Sequence, residues 1–152
     1  ATIWNDTAPT NQVFSIGTGG SVSEPSENFI AYCWHSVPGY SSIGSYEGNA
    51  NADGPFIYTG FRPAWFMVKN ADDGTTSSGP SWDIYDSARE PNNDGAFNSL
   101  SANSSGTEGH RPLDFLSNGI KIREPSSWNL NAANTYIYIA FAEAPVNFSN
   151  AR

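Results

Sequence analysis

Cysteine occurs once, at Cys33, so the chain can form no internal disulfide and no cysteine-based zinc centre. Its stability must come from packing. Charge is scarce as well, at 14% of residues against roughly 25% in ordinary soluble domains. Basic residues are the scarcest, with 7 Lys and Arg against 15 Asp and Glu, a net charge of −8. A nucleic-acid backbone would be repelled rather than gathered by counterion release, so no nucleic-acid partner is expected. No apolar run approaches the roughly 18 residues of a helical membrane span, and no signal-peptide pattern or basic amphipathic stretch precedes the first strand-like segment. No membrane insertion is expected. Leu, Lys and Met are few and no amphipathic helical period can be found, which argues against a helical protein.

What is present points to β-structure. The 152 residues suit one domain large enough to bury a core. Fourteen glycines and ten prolines are spread along the chain, aromatics reach 14%, and Ser, Thr and Asn fill 45 positions, so the surface is polar but largely uncharged. Short apolar runs bounded by turn residues lie at 12–16, 29–34, 55–61, 64–69, 82–85, 113–116, 120–122 and 135–141. About eight strands in a chain of this length predict an all-β, antiparallel sandwich or jelly-roll-like single domain with long polar loops. Exposed loops are expected at 70–81 and 99–111. Asn118-Gly119 between two strand-like runs predicts a type I′ hairpin with both residues at positive φ, Ile120 and Ile122 facing the core and Lys121 and Arg123 facing water.

The chain echoes itself. Phe14, Gly17, Glu24-Pro25-Ser26 and Phe29-Ile30-Ala31-Tyr32 recur in the same order as Phe115, Gly119, Glu124-Pro125-Ser126 and Tyr138-Ile139-Ala140-Phe141. The offset is roughly 100 residues, with about nine more inserted after the second Glu-Pro-Ser. Residues 1–37 therefore read as an arm echoing 113–145, the tail of one repeat unit, ahead of a main unit at 38–145 and a tail at 146–152. The echo predicts that Phe14, Phe29, Ile30 and Tyr32 pack as core, and that the arm pairs with its counterpart or adds to a neighbouring chain's sheet edge.

Chemistry-bearing residues are scattered. Asp72-Asp73, Asp83, Asp86, Glu90 and Asp94 lie in loop-like sequence of a kind that suits calcium, but the spacing matches no EF-hand loop, and solvated surface acid is the simpler reading. Cys33 and His35 would share one face of a strand; because Ala142 and Ala144 hold the equivalent places in the second copy, Cys33 reads as a small packing residue rather than a nucleophile. His110 has no partner in sequence. No acid–base pair, nucleophile or cofactor signature is singled out, so no enzymatic activity and no bound cofactor are expected. Trp4, Trp34, Trp65, Trp82 and Trp128, with Tyr40, Tyr46 and Tyr58, could stack on sugar rings. Trp65 and Trp82 fall in strand runs and read as core, leaving Trp128, Tyr40 and Tyr46 as the candidate glycan-stacking residues. The N-x-Ser/Thr patterns at Asn5, Asn103 and Asn147 read as turn residues.

Longer strings carry a resemblance. Tyr40-Ser41-Ser42-Ile43-Gly44-Ser45-Tyr46-Glu47-Gly48-Asn49 is followed by Asp53-Gly54-Pro55-Phe56-Ile57-Tyr58-Thr59-Gly60-Phe61-Arg62-Pro63-Ala64. With Ile84-Tyr85-Asp86-Ser87-Ala88-Arg89, Asp114-Phe115-Leu116-Ser117-Asn118-Gly119 and Tyr136-Ile137-Tyr138-Ile139-Ala140-Phe141-Ala142-Glu143, they cover most of the chain. The whole resembles the C-terminal domain of virion structural proteins from tailed bacteriophages of marine bacteria and cyanobacteria. In that family the domain often ends long fibre or appendage proteins, and chains finish in Asn-Ala-Arg, as at Asn150-Ala151-Arg152. The resemblance implies a virion-surface location, on the capsid exterior or on a tail or fibre. It implies the major capsid protein or fibre and tail proteins as partners, and leaves self-association open. It brings no catalytic residues. Because an initiator Met is readily removed before Ala1, a complete short protein is expected, although a fibre fragment would read the same. A capsid-decorating knob is then the leading reading, ahead of a tail-fibre or appendage tip that binds host receptors. A carbohydrate-binding module for host surface glycans is the reading from another class. A flat apolar patch would favour the structural reading, and an exposed aromatic pair beside a groove the glycan one.

Overall fold

The computed structural model describes residues 3–72, 81–93, 95, 97–125 and 129–144. The chain divides into two compact units, residues 1–33 and 34–152.

The larger unit is all β and antiparallel. Its strands are β1 (Ser41–Glu47), β2 (Phe56–Tyr58), β3 (Pro63–Asn70), β4 (Asp83–Asp86), β5 (Phe97–Ser101), β6 (Gly109–Arg111), β7 (Leu113–Leu116), β8 (Gly119–Ile122) and β9 (Thr135–Ala142). A six-stranded sheet runs β1-β9-β3-β4-β5-β6 and a three-stranded sheet runs β2-β8-β7. The last strand thus inserts between the first and the third, in register with both: Ile139 stands opposite Ile43 on one side and Met67 on the other. Alternation within the strands builds the core, because successive side chains point to opposite faces. Phe66, Val68, Tyr85, Phe97, Tyr136, Tyr138 and Ala140 from the large sheet meet Ile57, Leu113, Phe115, Ile120 and Ile122 from the small one in a single buried cluster. The Phe97 and Phe115 rings, 4.8 Å apart, join the two layers. This is the β-sandwich that the short bounded runs predict.

Several local expectations are corrected. The hairpin register pairs Leu116 with Gly119, so the two turn residues are Ser117 and Asn118, and neither Asn118 nor Gly119 has positive φ. Glycine is required at 119 for a different reason: a Cβ there would lie 2.2 Å from the Ile57 carbonyl oxygen and 2.8 Å from the Phe56 ring. Ile120 and Ile122 do face the core. The polar segment 99–111 is not a loop throughout, since β5 extends to Ser101 and β6 occupies Gly109–Arg111. Their backbone pairing with neighbours, which apolar content does not report, makes them strands. Strand β1, rich in Ser and Gly, escapes a hydrophobicity reading for the same reason. Of the expected loop at 70–81, residues 73–80 lie outside the described residues.

The smaller unit departs furthest from expectation. Neither 12–16 nor 29–34 forms a strand, and among the described residues the one element is a four-residue helical turn, α1 (Gly20–Ser23). The Gly17 N–H donates to the Ile3 carbonyl, and Trp4 meets Phe14 edge-on at 6.5 Å. Phe14, Phe29, Ile30 and Tyr32 are exposed, Ile30 to 80% and Tyr32 to 73%, so they are not core. Cys33, read as a packing residue, is exposed too. The physical reason lies in pairing: a strand is held by the strands beside it, and an isolated hairpin is marginal in water.

Candidate interaction face

The outward face of the large sheet is where the molecule departs from a plain sandwich. Because Phe66, Val68, Tyr85, Tyr138 and Ala140 point inward, their neighbours point out. Three of those neighbours, Met67, Ile84 and Ile139, form one continuous row across five strands together with Ile43 and Leu100. Ile43 stands opposite Ile139, Ile139 opposite Met67, Met67 opposite Ile84, and Ile84 opposite Leu100. Leu100 is 39% exposed and the other four are half-buried. A second, aromatic row lies beside it: Phe141 is in register with Trp65, their rings 5.6 Å apart, and Tyr40 meets Phe141 edge-on at 5.9 Å. One-sided antiparallel sheets ordinarily present polar residues to water, and an in-register apolar stripe departs from that pattern. Polar groups rim it. On one side Ser45 and Lys69 flank Ile137, with the Lys69 ammonium 5.6 Å from the centre of the Trp82 ring. On the other, Arg89 bridges Asp86 at 2.7 Å and Glu108 at 2.9 Å.

Trp65 and Trp82, read as core, are half-buried: Trp65 belongs to this outward face and Trp82 sits just ahead of β4. The three glycan-stacking candidates are not brought together. Trp128 lies outside the described residues. Tyr40 is half-exposed and belongs to the aromatic row. Tyr46 points the other way, with its ring stacked on Tyr136 at 5.0 Å and its hydroxyl donating to the Leu130 carbonyl at 2.8 Å. Burial holds the Tyr46 phenol well above its ordinary range, with Tyr136 and Tyr85 adding to the shift. A different exposed pair sits on the small sheet: Tyr58, named in the sequence as able to stack but not kept as a candidate, and Phe56, which the sequence reading missed. Phe56 and Tyr58 flank buried Ile57 on the edge strand β2, and Tyr58 is 68% exposed. The alternation Phe-Ile-Tyr is the signal that could have found it. Beside this pair Lys121 holds Asp53 at 2.6 Å, an attraction that keeps the Asp53 carboxyl below its usual range, and Arg123 holds Asp114 at 2.7 Å.

The acids are engaged locally rather than gathered. Asp83 is almost wholly buried and accepts from Ser101 Oγ at 3.1 Å and Asn129 Nδ2 at 2.9 Å; burial raises its pKa against the pull of those bonds. Asp72 accepts from the Thr135 N–H, and Glu90 accepts from the Asn98 amide. Asp73 and Asp94 lie outside the described residues. Among the described residues no three of His, Cys, Asp and Glu stand close enough to hold a metal ion. His35 Nδ1 lies 3.0 Å from the Ser36 carbonyl oxygen, and His110 is exposed on β6 opposite Asn98. Asn5, at φ 53°, and Asn103 both lie in turns, the Asn103 side chain also accepting from the distant Trp82 N–H, while Asn147 is outside the described residues.

A buried amide and a close backbone approach hold the end of the string at 40–49. Asn131, fully buried, accepts from the Asn49 N–H at 2.8 Å and donates to the Asn51 carbonyl at 2.8 Å and the Glu124 carbonyl at 2.6 Å. Gly48 packs so closely on this segment that a Cβ would sit 1.9 Å from the Ala132 carbonyl oxygen. A family model, that of a domain of unknown function designated DUF7483, matches residues 1–145. The chain belongs to the DUF7483 family. The match takes in the whole smaller unit as well as all nine strands, so the DUF7483 pattern includes both the arm and the sandwich. No curated protein and no solved structure is significantly similar to the chain.

Proposed function

We propose that this DUF7483 chain is a structural protein of a tailed-phage virion surface that acts by packing against other virion proteins rather than by catalysis, and that it decorates the capsid as a knob. The observation that carries this reading is the Ile43-Ile139-Met67-Ile84-Leu100 stripe: a flat apolar row with a polar rim is the form of a protein contact, not of a reaction centre. The virion assignment itself rests on the sequence resemblance carried by 40–64, 84–89, 114–119 and 136–143. Capsid proteins are the proposed partners and the capsid exterior the proposed location. The test is genetic and structural. Virions of the encoding phage should contain the chain on the capsid by cryo-electron microscopy, and Ile84→Glu with Leu100→Glu should abolish its incorporation while the free variant still melts cooperatively. Virions that lack the wild-type chain, or that take up the double variant unchanged, would refute the reading.

A second reading is favoured by the Phe56 and Tyr58 pair, whose outward rings beside charged side chains suit stacking on a sugar with hydrogen bonds to its hydroxyls. In that reading the chain is a receptor-binding tip that recognises a host surface glycan. Binding of host glycans that vanishes in Tyr58→Ala would support it; binding unaffected by Phe56→Ala and Tyr58→Ala would dismiss it.

A further inference from the structure

The strongest unexplained feature is the smaller unit: a run of large apolar residues, exposed, whose sequence repeats that of strands which are buried elsewhere in the same chain. Phe115 of β7 is fully buried, whereas Phe14, its counterpart, is 44% exposed. Ala140 of β9 is fully buried and Tyr138 nearly so, whereas Ala31 and Phe29, their counterparts, are exposed. The alternation agrees from Phe29 onward. In β9 the inward set is Tyr136, Tyr138 and Ala140, with Ala142 partly covered; the arm matches the last three with Phe29, Ala31 and Cys33, small residues at the same two places, while Glu27 stands at the counterpart of Tyr136.

The topology states what such a segment needs. Strand β9 is not an edge: it pairs with β1 from Ser41↔Phe141 to Glu47↔Thr135 and with β3 from Pro63↔Ala142 to Asn70↔Tyr136. Strand β8 likewise lies between β2 and β7. The arm repeats β7 around Phe14 and the end of β9, but not β8, since Thr18 and Gly20 hold the places of buried Ile120 and Ile122; its β9-like part therefore asks for the equivalents of β1 and β3, and without them it has no ladder on either side. A second complete copy of this chain cannot supply them, because its own β9 already occupies the place between them.

We propose that residues 13–34 are the closing strands of another sandwich of this same kind, whose earlier strands stand ahead of residue 1 in the same polypeptide. The protein is then one unit of a tandem array, and the arm is the joint at which one unit's last strand leads directly into the next unit's β1. The short passage from Cys33 through the Val37↔Ser41 bridge into β1 is compatible with that hand-over. The partner is a first part of the same fold, recognised by backbone pairing on both edges and by small inward residues at 31 and 33.

Cys33 makes the idea testable, because it is the chain's single cysteine and is exposed. At the offset of the echo, residue 1 corresponds to a position just after β5, so residues 34–101 are joined ahead of the complete chain. The proposal expects a monomer with two sandwiches, strong amide-exchange protection at 28–34, and a Cys33 thiol that reacts with a disulfide reagent about tenfold or more slowly than in the unextended chain. Ala31→Arg, which places a long charged side chain at the counterpart of buried Ala140, should restore fast thiol reactivity in the extended chain and change nothing in the unextended one. The proposal is overturned if Cys33 stays equally reactive after extension, if the added segment remains unfolded or aggregates, or if Ala31→Arg has no effect. It is also overturned if the unextended chain self-associates with Cys33 protected, since the partner would then be a complete copy.

Discussion

Single residues in this protein are fixed mostly by close backbone approach and by buried polar atoms that need partners. Gly119 lies under the Phe56 ring and against the Ile57 carbonyl, so a larger residue must push β2 away from β8. Gly119→Val is expected to cost about 1–3 kcal/mol by overpacking, read as a lower melting midpoint. The same loss in Gly119→Ala would identify the close approach as the cause, because alanine at a negative φ carries no backbone strain. Buried tyrosines give a second expectation. Burial pushes the Tyr136 phenol up to about 12 and holds Tyr46 and Tyr85 well above their ordinary range. The unfolded chain releases these protons near pH 10 while the folded chain retains them. Stability contributed by the neutral phenols is therefore complete below about pH 10 and is lost as pH rises through about 12. Phenolate absorbance should rise together with loss of tertiary signal, and Tyr46→Phe should narrow that alkaline loss; phenolate appearing well before unfolding would contradict it.

Strand edges are closed at the element scale by side chains. On the outer edge of β7, Asn93 acts like a strand one residue long: its Oδ1 accepts from the Phe115 N–H and its Nδ2 donates to the Phe115 carbonyl, both at 3.0 Å. Arg62 donates to the same carbonyl at 2.7 Å and pairs with Glu143 at 3.0 Å, tying the small sheet to residues beside β3 and β9. Asn93→Leu removes both amide bonds and is expected to cost about 1–3 kcal/mol, because a buried donor is left unmatched. It also opens a sheet edge, so light scattering near the melting transition should increase. An unchanged midpoint and scattering would mean that Arg62 closes the edge alone.

For the whole molecule, what matters is that the buried cluster of the sandwich is built within the larger unit. Every residue of the buried cluster lies between Ile57 and Ala140. A chain beginning at Trp34, which keeps the bonds of His35, Ser36 and Val37 to β1, is expected to melt cooperatively within a few degrees of the full chain. Aggregation of that shortened chain would return the arm to the core. Far-ultraviolet circular dichroism of both forms should be that of a β protein, with helix limited to the single turn at Gly20–Ser23.

How much of this was legible in advance follows from what local sequence can encode. The β7–β8 hairpin, β3 and β9 could be read from alternation, because their side chains meet water on one face and the core on the other, or the core on both. The fold class followed from the same runs. Strands β1 and β6 could not be read, since Ser41-Ser42-Ile43-Gly44 and Gly109-His110-Arg111 become strands only through the backbone partners that fold topology brings beside them. The apolar stripe could not be read either: Ile43, Met67, Ile84, Leu100 and Ile139 are far apart in sequence, and only the register of five strands sets them in a row. The echo shows the limit most clearly. The chain by itself determined that 14–32 and 115–141 carry one strand pattern, but a strand is a relation between neighbours. Tertiary structure alone decided that the second copy is core, because β1, β2 and β3 are there to pair with it, and that the first is exposed.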